Sequence, residues 1–108
     1  MIYEQRTYTT IPGRMPNLLA RFRNHTLRIW DRHGIRTVGF WTTLVGPDNN
    51  ELTYMLVWDS LAEREVKYAA FMADPEWLKV KAETEADGPI NAKIANAFLI
   101  PTDFSLLK

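Results

Sequence analysis

The run GIRTVGFWTTLVGPDNNELTYMLVWD, Gly34 to Asp59, decides the fold. Its two halves, Ile35–Val45 and Leu52–Trp58, are rich in the β-branched and aromatic residues that suit a pleated, half-buried surface. Between them lies Gly46-Pro47-Asp48-Asn49-Asn50-Glu51, whose residue types supply the backbone angles of a hairpin loop. The stretch reads as a central β-hairpin.

On the N-terminal side, Ile2–Thr9 reads as a first strand ended by Ile11-Pro12-Gly13. Period two places Ile2, Glu4, Arg6 and Tyr8 on one face and Tyr3, Gln5 and Thr7 on the other. Both faces are partly polar, as in an edge strand or one that lines a pocket. From Met15 to His33 the period becomes 3.6: Leu18, Leu19, Phe22, His25, Thr26, Ile29, Trp30 and His33 share one stripe. Pro16 fits the first turn, His33 the last turn, and Gly34 the left-handed position beyond it.

After the hairpin, Ser60-Leu61-Ala62-Glu63 has the spacing of a capping box, and Leu61, Arg64, Tyr68, Phe71 and Met72 share a helical face. Asp74-Pro75-Glu76 starts a further short helix, to about Glu85, which Asp87-Gly88-Pro89 breaks. Lys93–Ile100, stopped by Pro101, is a fourth strand, central or at the edge. The order β-α-β-β-α-β is the ferredoxin-like α+β arrangement, a four-stranded antiparallel sheet with helices on one face.

At 108 residues the chain has the length of one domain, 1–108. Thirteen basic residues balance thirteen acidic ones and neither sign is concentrated, so neither nucleic acid nor an anionic membrane is an expected partner. There is no cysteine for disulfides, thiolate metal sites or thiol nucleophiles. With a charged N-terminus and no long apolar run, the expected setting is the cytoplasm. Both parities of the hairpin carry large apolar groups: Val38, Phe40, Leu44, Leu52, Tyr54, Leu56 and Trp58 against Trp41, Val45, Met55 and Val57. A helix-covered sheet needs only one such face, so a homodimer through the sheet faces is expected.

The candidate chemistry is sparse. His25, on the apolar stripe of the first helix, is expected to point at the sheet, either as a general base or as a packed histidine bonded to a backbone or hydroxyl group. Arg6 and Arg64 are placed to converge on an anionic group, or to pair with Glu4 or Glu63. Tyr8, Trp41, Tyr54, Trp58, Tyr68 and Trp77 line a flat cavity or form core. His25 and His33 are two turns apart and belong to no ligand motif, so no metal is expected, and no phosphate loop or nucleophile elbow occurs.

The residues Tyr3-Glu4-Gln5-Arg6-Thr7-Tyr8 with Pro12-Gly13, Arg32-His33-Gly34 before Val38-Gly39-Phe40-Trp41, and Val45-Gly46 with Asn49-Asn50-Glu51 form one ordered series. Trp58-Asp59-Ser60-Leu61-Ala62-Glu63-Arg64 and Asp74-Pro75-Glu76-Trp77 continue it. In order and spacing the series resembles the NIPSNAP family, part of the dimeric α+β barrel group, with Gln5 where the family's opening strand has an apolar residue. The resemblance implies a ferredoxin-like subunit whose sheet pairs with a second copy. It settles no reaction, because the wider group includes cofactor-independent monooxygenases, heme-degrading enzymes, isomerases and dehydratases. The expected function is therefore small-molecule binding between the first helix and the sheet, without a cofactor. As an enzyme the protein would be a monooxygenase or isomerase acting on an aromatic or polyketide-like molecule, with His25 as catalytic proton acceptor and Arg6, Tyr8, Trp41, Tyr54 and Arg64 on the substrate. The other alternative is a non-catalytic interaction module.

Overall fold

Burial alternates strictly along Glu51–Trp58, with Leu52, Tyr54, Leu56 and Trp58 turned inward. A computed structural model describes residues 1–108. Strands β1 (Ile2–Thr10), β2 (Arg36–Thr42), β3 (Glu51–Trp58) and β4 (Asn91–Leu99) form one antiparallel sheet in the order β2-β3-β1-β4. The fourth strand is thus an edge, paired to β1 with Arg6 opposite Asn96. On the other side of β1, Arg6 lies opposite Tyr54.

Helices α1 (Met15–Arg21) and α2 (Leu27–Arg32) are joined through a π-helical turn, Phe22–Thr26, while α3 (Leu61–Met72) and α4 (Pro75–Thr84) follow the hairpin. Leu18, Phe22, Thr26 and Trp30 are all buried. In a regular α-helix a ladder of four-residue steps drifts about 40° per step. The wider π turn takes back part of that drift and keeps the ladder facing the sheet. Leu27 N–H accordingly bonds Phe22 O, five residues back.

The start signals of the later helices work as local chemistry requires. Ser60 Oγ accepts from Glu63 N–H at 3.1 Å, and the Glu63 carboxylate reaches back to Asp59 N–H at 2.8 Å. Asp74 Oδ1 accepts from Glu76 and Trp77 N–H, and its Oδ2 takes Arg32 and His33 from the end of α2. His33 is therefore fixed by the cap of α4. These contacts hold Asp74 well below the usual carboxylate range, the His33 bond first and Arg32 second. Gly34, at φ +70°, makes the left-handed turn into β2 that other residues resist.

The core is aromatic. Phe22 meets Trp30 and Tyr54 edge-on at 5.5 and 5.4 Å, and Phe40 stacks on Tyr54 at 5.1 Å. Beyond area burial, each such pair contributes about 0.5–1.5 kcal/mol.

Two strands differ from the sequence reading: β4 runs Asn91–Leu99 rather than Lys93–Ile100, and β2 is cut short. β2 ends at Thr42, and Leu44 and Val45 are 97% and 93% exposed in the loop. The loop bends early because Asn50, whose carbonyl accepts Thr10 N–H at 2.7 Å, ties it to the end of β1. An Asx turn from Asp48 Oδ1 to Asn50 N–H, at 2.8 Å, closes it. No helix is long and apolar enough to cross a membrane.

Candidate functional site

Glu4, Arg6 and Tyr8 alternate along β1 toward the helices, so three polar side chains stand in a row beneath an apolar layer. Burying them is costly unless every charge is paired and every polar atom bonded. Glu4, at 0% exposure, accepts from Arg6 Nη1 (2.9 Å), Trp58 Nε1 (3.1 Å) and Asn96 Nδ2 (3.1 Å). Arg64 adds a fork from α3, its Nε at 3.2 Å from one carboxylate oxygen and its Nη2 at 3.1 Å from the other. Burial alone would raise the Glu4 pKa, but the bonds from Arg64, Arg6 and Asn96 outweigh it and hold the carboxyl below its ordinary value.

The chain of bonds continues along the strand. Arg6 Nε donates to Tyr54 Oη at 2.7 Å, and Tyr54 Oη donates to Tyr8 Oη at 2.9 Å. Burial works against the Arg6 charge, yet the phenol oxygens of Tyr54 and Tyr8 overcome it and the guanidinium stays fully protonated. The same burial, with the Tyr8 phenol adjacent, pushes Tyr54 well above the usual tyrosine value. Tyr68 is pushed up to about 12, again chiefly by burial. Its ring lies between the two guanidiniums, at 5.3 Å from Arg6 Cζ and 4.2 Å from Arg64 Cζ.

Above this row lies a cavity of about 230 Å³. Arg6 and Tyr8 contribute to its floor, with Asn91 and Ile94 from β4. Phe22, Thr26 and Trp30 line it from the π turn and α2, and Tyr68, Phe71 and Met72 from α3. Trp77, Lys81 and Glu85 come from α4 and its end. Three buried side-chain atoms of the protein lack a hydrogen-bond partner: Trp30 Nε1, Trp77 Nε1 and Asn91 Oδ1. All three belong to residues that line this cavity. An unmade hydrogen bond at a buried polar atom costs about 1–3 kcal/mol, and all three such atoms belong to the walls of this one space.

Sequence reasoning and geometry part company over several residues. Arg6, Tyr8 and Tyr54 come together, Tyr54 behind the cavity wall rather than in it. Arg6 and Arg64 do converge, and the group they converge on is Glu4. His25 does not point at the sheet: displaced from the inner ladder by the π turn, it is half-buried in a separate groove with Arg14, Asn17, Asn24 and Glu83. Trp41 is 53% exposed on the uncovered sheet face, opposite Thr53, and its ring folds over Gly39. A Cβ on Gly39 would lie 2.8 Å from that ring. Trp30, Arg21, Lys81, Glu85 and Asn91 were missed as site residues, since only the meeting of α1, α2, α4 and β4 brings them together. For Trp30 a signal existed, an indole on an inner stripe whose N–H needs a partner. No group of three or more His, Asp or Glu side chains gathers as a metal site would require.

Solved structures share this arrangement over nearly the whole chain. A NIPSNAP family protein of unknown function from Agrobacterium tumefaciens is 30% identical, with a TM-score of 0.87 over 100% of this chain and 94% of its own. An uncharacterized NIPSNAP domain protein from Burkholderia xenovorans is 25% identical, with a TM-score of 0.84 over 97% and 98% of the two chains. A candidate antibiotic biosynthesis monooxygenase from Nitrosomonas europaea, at 11% identity and a TM-score of 0.63 over 94% and 98%, shares the fold alone. No curated protein matches the sequence. The family model described as NIPSNAP matches residues 3–106 in one span, and the chain belongs to the NIPSNAP family.

Proposed function

We propose that the protein binds a small planar molecule in the cavity between the first helix and the sheet, as a homodimer, and that binding rather than acid-base turnover is its activity. The observation that carries this reading is the confinement of the three orphaned polar atoms to residues lining one cavity. A bound molecule with hydrogen-bonding groups at its edge would relieve them, while its faces meet Phe22, Phe71 and the two indoles. The volume corresponds to about eight waters at ~30 Å³ each, which suits a single-ring compound.

Acid-base chemistry is less well supported. Glu4 is saturated by donors and held below its ordinary pKa, while Tyr54 and Tyr68 are held above theirs, so these groups are mismatched to proton transfer near neutrality. His25, the proton acceptor of the monooxygenase or isomerase reading, lies in another groove. The interaction-module reading calls for a filled interior, which the cavity disfavours.

Titration with single-ring aromatic compounds, followed by tryptophan emission and thermal unfolding, tests the reading. Ligand at a hundred times its Kd stabilises by about 2.7 kcal/mol. A panel that changes neither the emission nor the unfolding temperature would overturn it. The dimer is supported by the uncovered sheet face, where Trp41, Met55, Val57 and Leu99 form an apolar strip, and sedimentation of the purified protein tests it.

A further inference from the structure

We propose that the ligand of this cavity is an aromatic monocarboxylate, with Lys81 as its charge partner; this rests on the cavity being a small-molecule site. Three cations line the cavity, Arg6, Arg21 and Lys81, against one carboxylate, Glu85. Glu4 neutralises Arg6 from below at 2.9 Å, and Glu85 neutralises Arg21 at 3.1 Å. Of the three lining cations Lys81 alone pairs with no carboxylate, and Glu4 is already shared between Arg6 and Arg64, so the site carries an excess of positive charge with Lys81 as its unpaired cation.

The neutral donors favour the same sign. Arg6 engages three of its five N–H groups, with Tyr54, Glu4 and Tyr8, leaving two free in a side chain that lines the cavity. The Trp30 and Trp77 indoles add two N–H groups without acceptors. Among the orphans only Asn91 Oδ1 seeks a donor. A site rich in unspent donors and carrying one unspent cation selects a ligand rich in acceptors and carrying one negative charge. Its aromatic walls, with Phe71 against Trp77 at 4.8 Å, select a flat body.

The test compares benzoate, benzyl alcohol and benzylamine, alike in ring and size and differing in charge, by calorimetry and tryptophan quenching. Benzoate is expected to bind about tenfold tighter than benzyl alcohol, and benzylamine weakest. Lys81 is exposed on α4, so Lys81→Gln folds, which its circular dichroism and unfolding temperature check. This variant should lose about fivefold for benzoate, with the benzyl alcohol affinity unchanged. Benzyl alcohol binding as tightly as benzoate to the parent, or a benzoate preference undiminished in Lys81→Gln, overturns the carboxylate assignment while leaving the cavity as a binding site. Failure of all three probes to bind overturns both.

Discussion

Arg64 and Glu4, sixty positions apart, meet in a two-pronged contact in which both oxygens of the carboxylate face the guanidinium fork at 3.2 and 3.1 Å. Arg6 approaches the same carboxylate from within β1. One buried anion thus fastens α3 to the central strand and fixes the guanidinium at the cavity floor. Replacing Glu4 with Gln leaves two arginines without their counter-charge, and removal of one partner of a buried pair costs about 3–5 kcal/mol. Urea unfolding of Glu4→Gln should show a loss of that order. Arg64→Met, which keeps the aliphatic stem at a partly exposed position, should cost about 1 kcal/mol. Equal stability of Glu4→Gln and the parent would mean that the charge cluster contributes no net stability.

The same cluster sets an acid limit. The Glu4 pKa is depressed below its ordinary value of 4.5 in the folded state, so its contribution to stability is complete above that value and is lost as pH falls through the folded pKa. Asp74, Glu63 and Glu76 are shifted in the same direction. The unfolding free energy should be level near pH 6–7 as far as these groups are concerned, then decline below about pH 4.5. In Glu4→Gln the decline should be shallower. Parallel acid limbs for the two proteins would show that Glu4 is not the group whose protonation matters.

The four-stranded sheet was legible because its strands are set apart by β-rich composition and turn residues, and each later helix by its own cap, Ser60 and Asp74; the strand order was not, because nothing local to Ile2–Thr10 or Asn91–Leu99 says that the first is central and the last an edge. The extent of β2 was not, because Thr43, Leu44 and Val45 have strand-forming side chains while the loop's path is set by the distant bond from Thr10 to Asn50. His25 was misplaced because a period of 3.6 counts it on the inner stripe, and nothing in the residues Phe22–Thr26 announces a π turn. Arg6 and Tyr8 were readable from their parity on β1. Lys81 and Asn91 gain meaning only when α4 and β4 meet at the cavity, a property of tertiary structure with no local pattern.

The π turn itself is open to test by deletion of Asn24. Without that residue Leu18, Phe22, Thr26 and Trp30 would follow spacings of four, three and four, which an ordinary α-helix keeps on one face. The shortened helix should therefore retain its helical signal and unfold within a few degrees of the parent. Phe22 and Thr26, brought nearer together, would no longer line the cavity at their present separation, and benzoate affinity should fall by about tenfold, as expected where a π turn serves a site. Unchanged affinity with unchanged stability would make the turn a neutral insertion.

The uncovered sheet face carries the remaining prediction. Met55 sits at the middle of β3, with Gln5 on one side and Gly39 on the other, and points away from the helices with Val57, Thr53 and Trp41. In a single chain this position is half-buried and tolerates a long side chain that snorkels to water. Between two sheets packed face to face it lies in the seam, where an ammonium would be buried without a partner. Met55→Lys should therefore leave the monomer folded, with unchanged circular dichroism, while raising the dimer dissociation constant by at least about tenfold in sedimentation equilibrium. If the variant associates as strongly as the parent, the two copies do not meet through this face. Trp41→Lys separates the centre of the seam from its edge: its smaller effect would place Trp41 at the rim, with its ring still folded along Gly39.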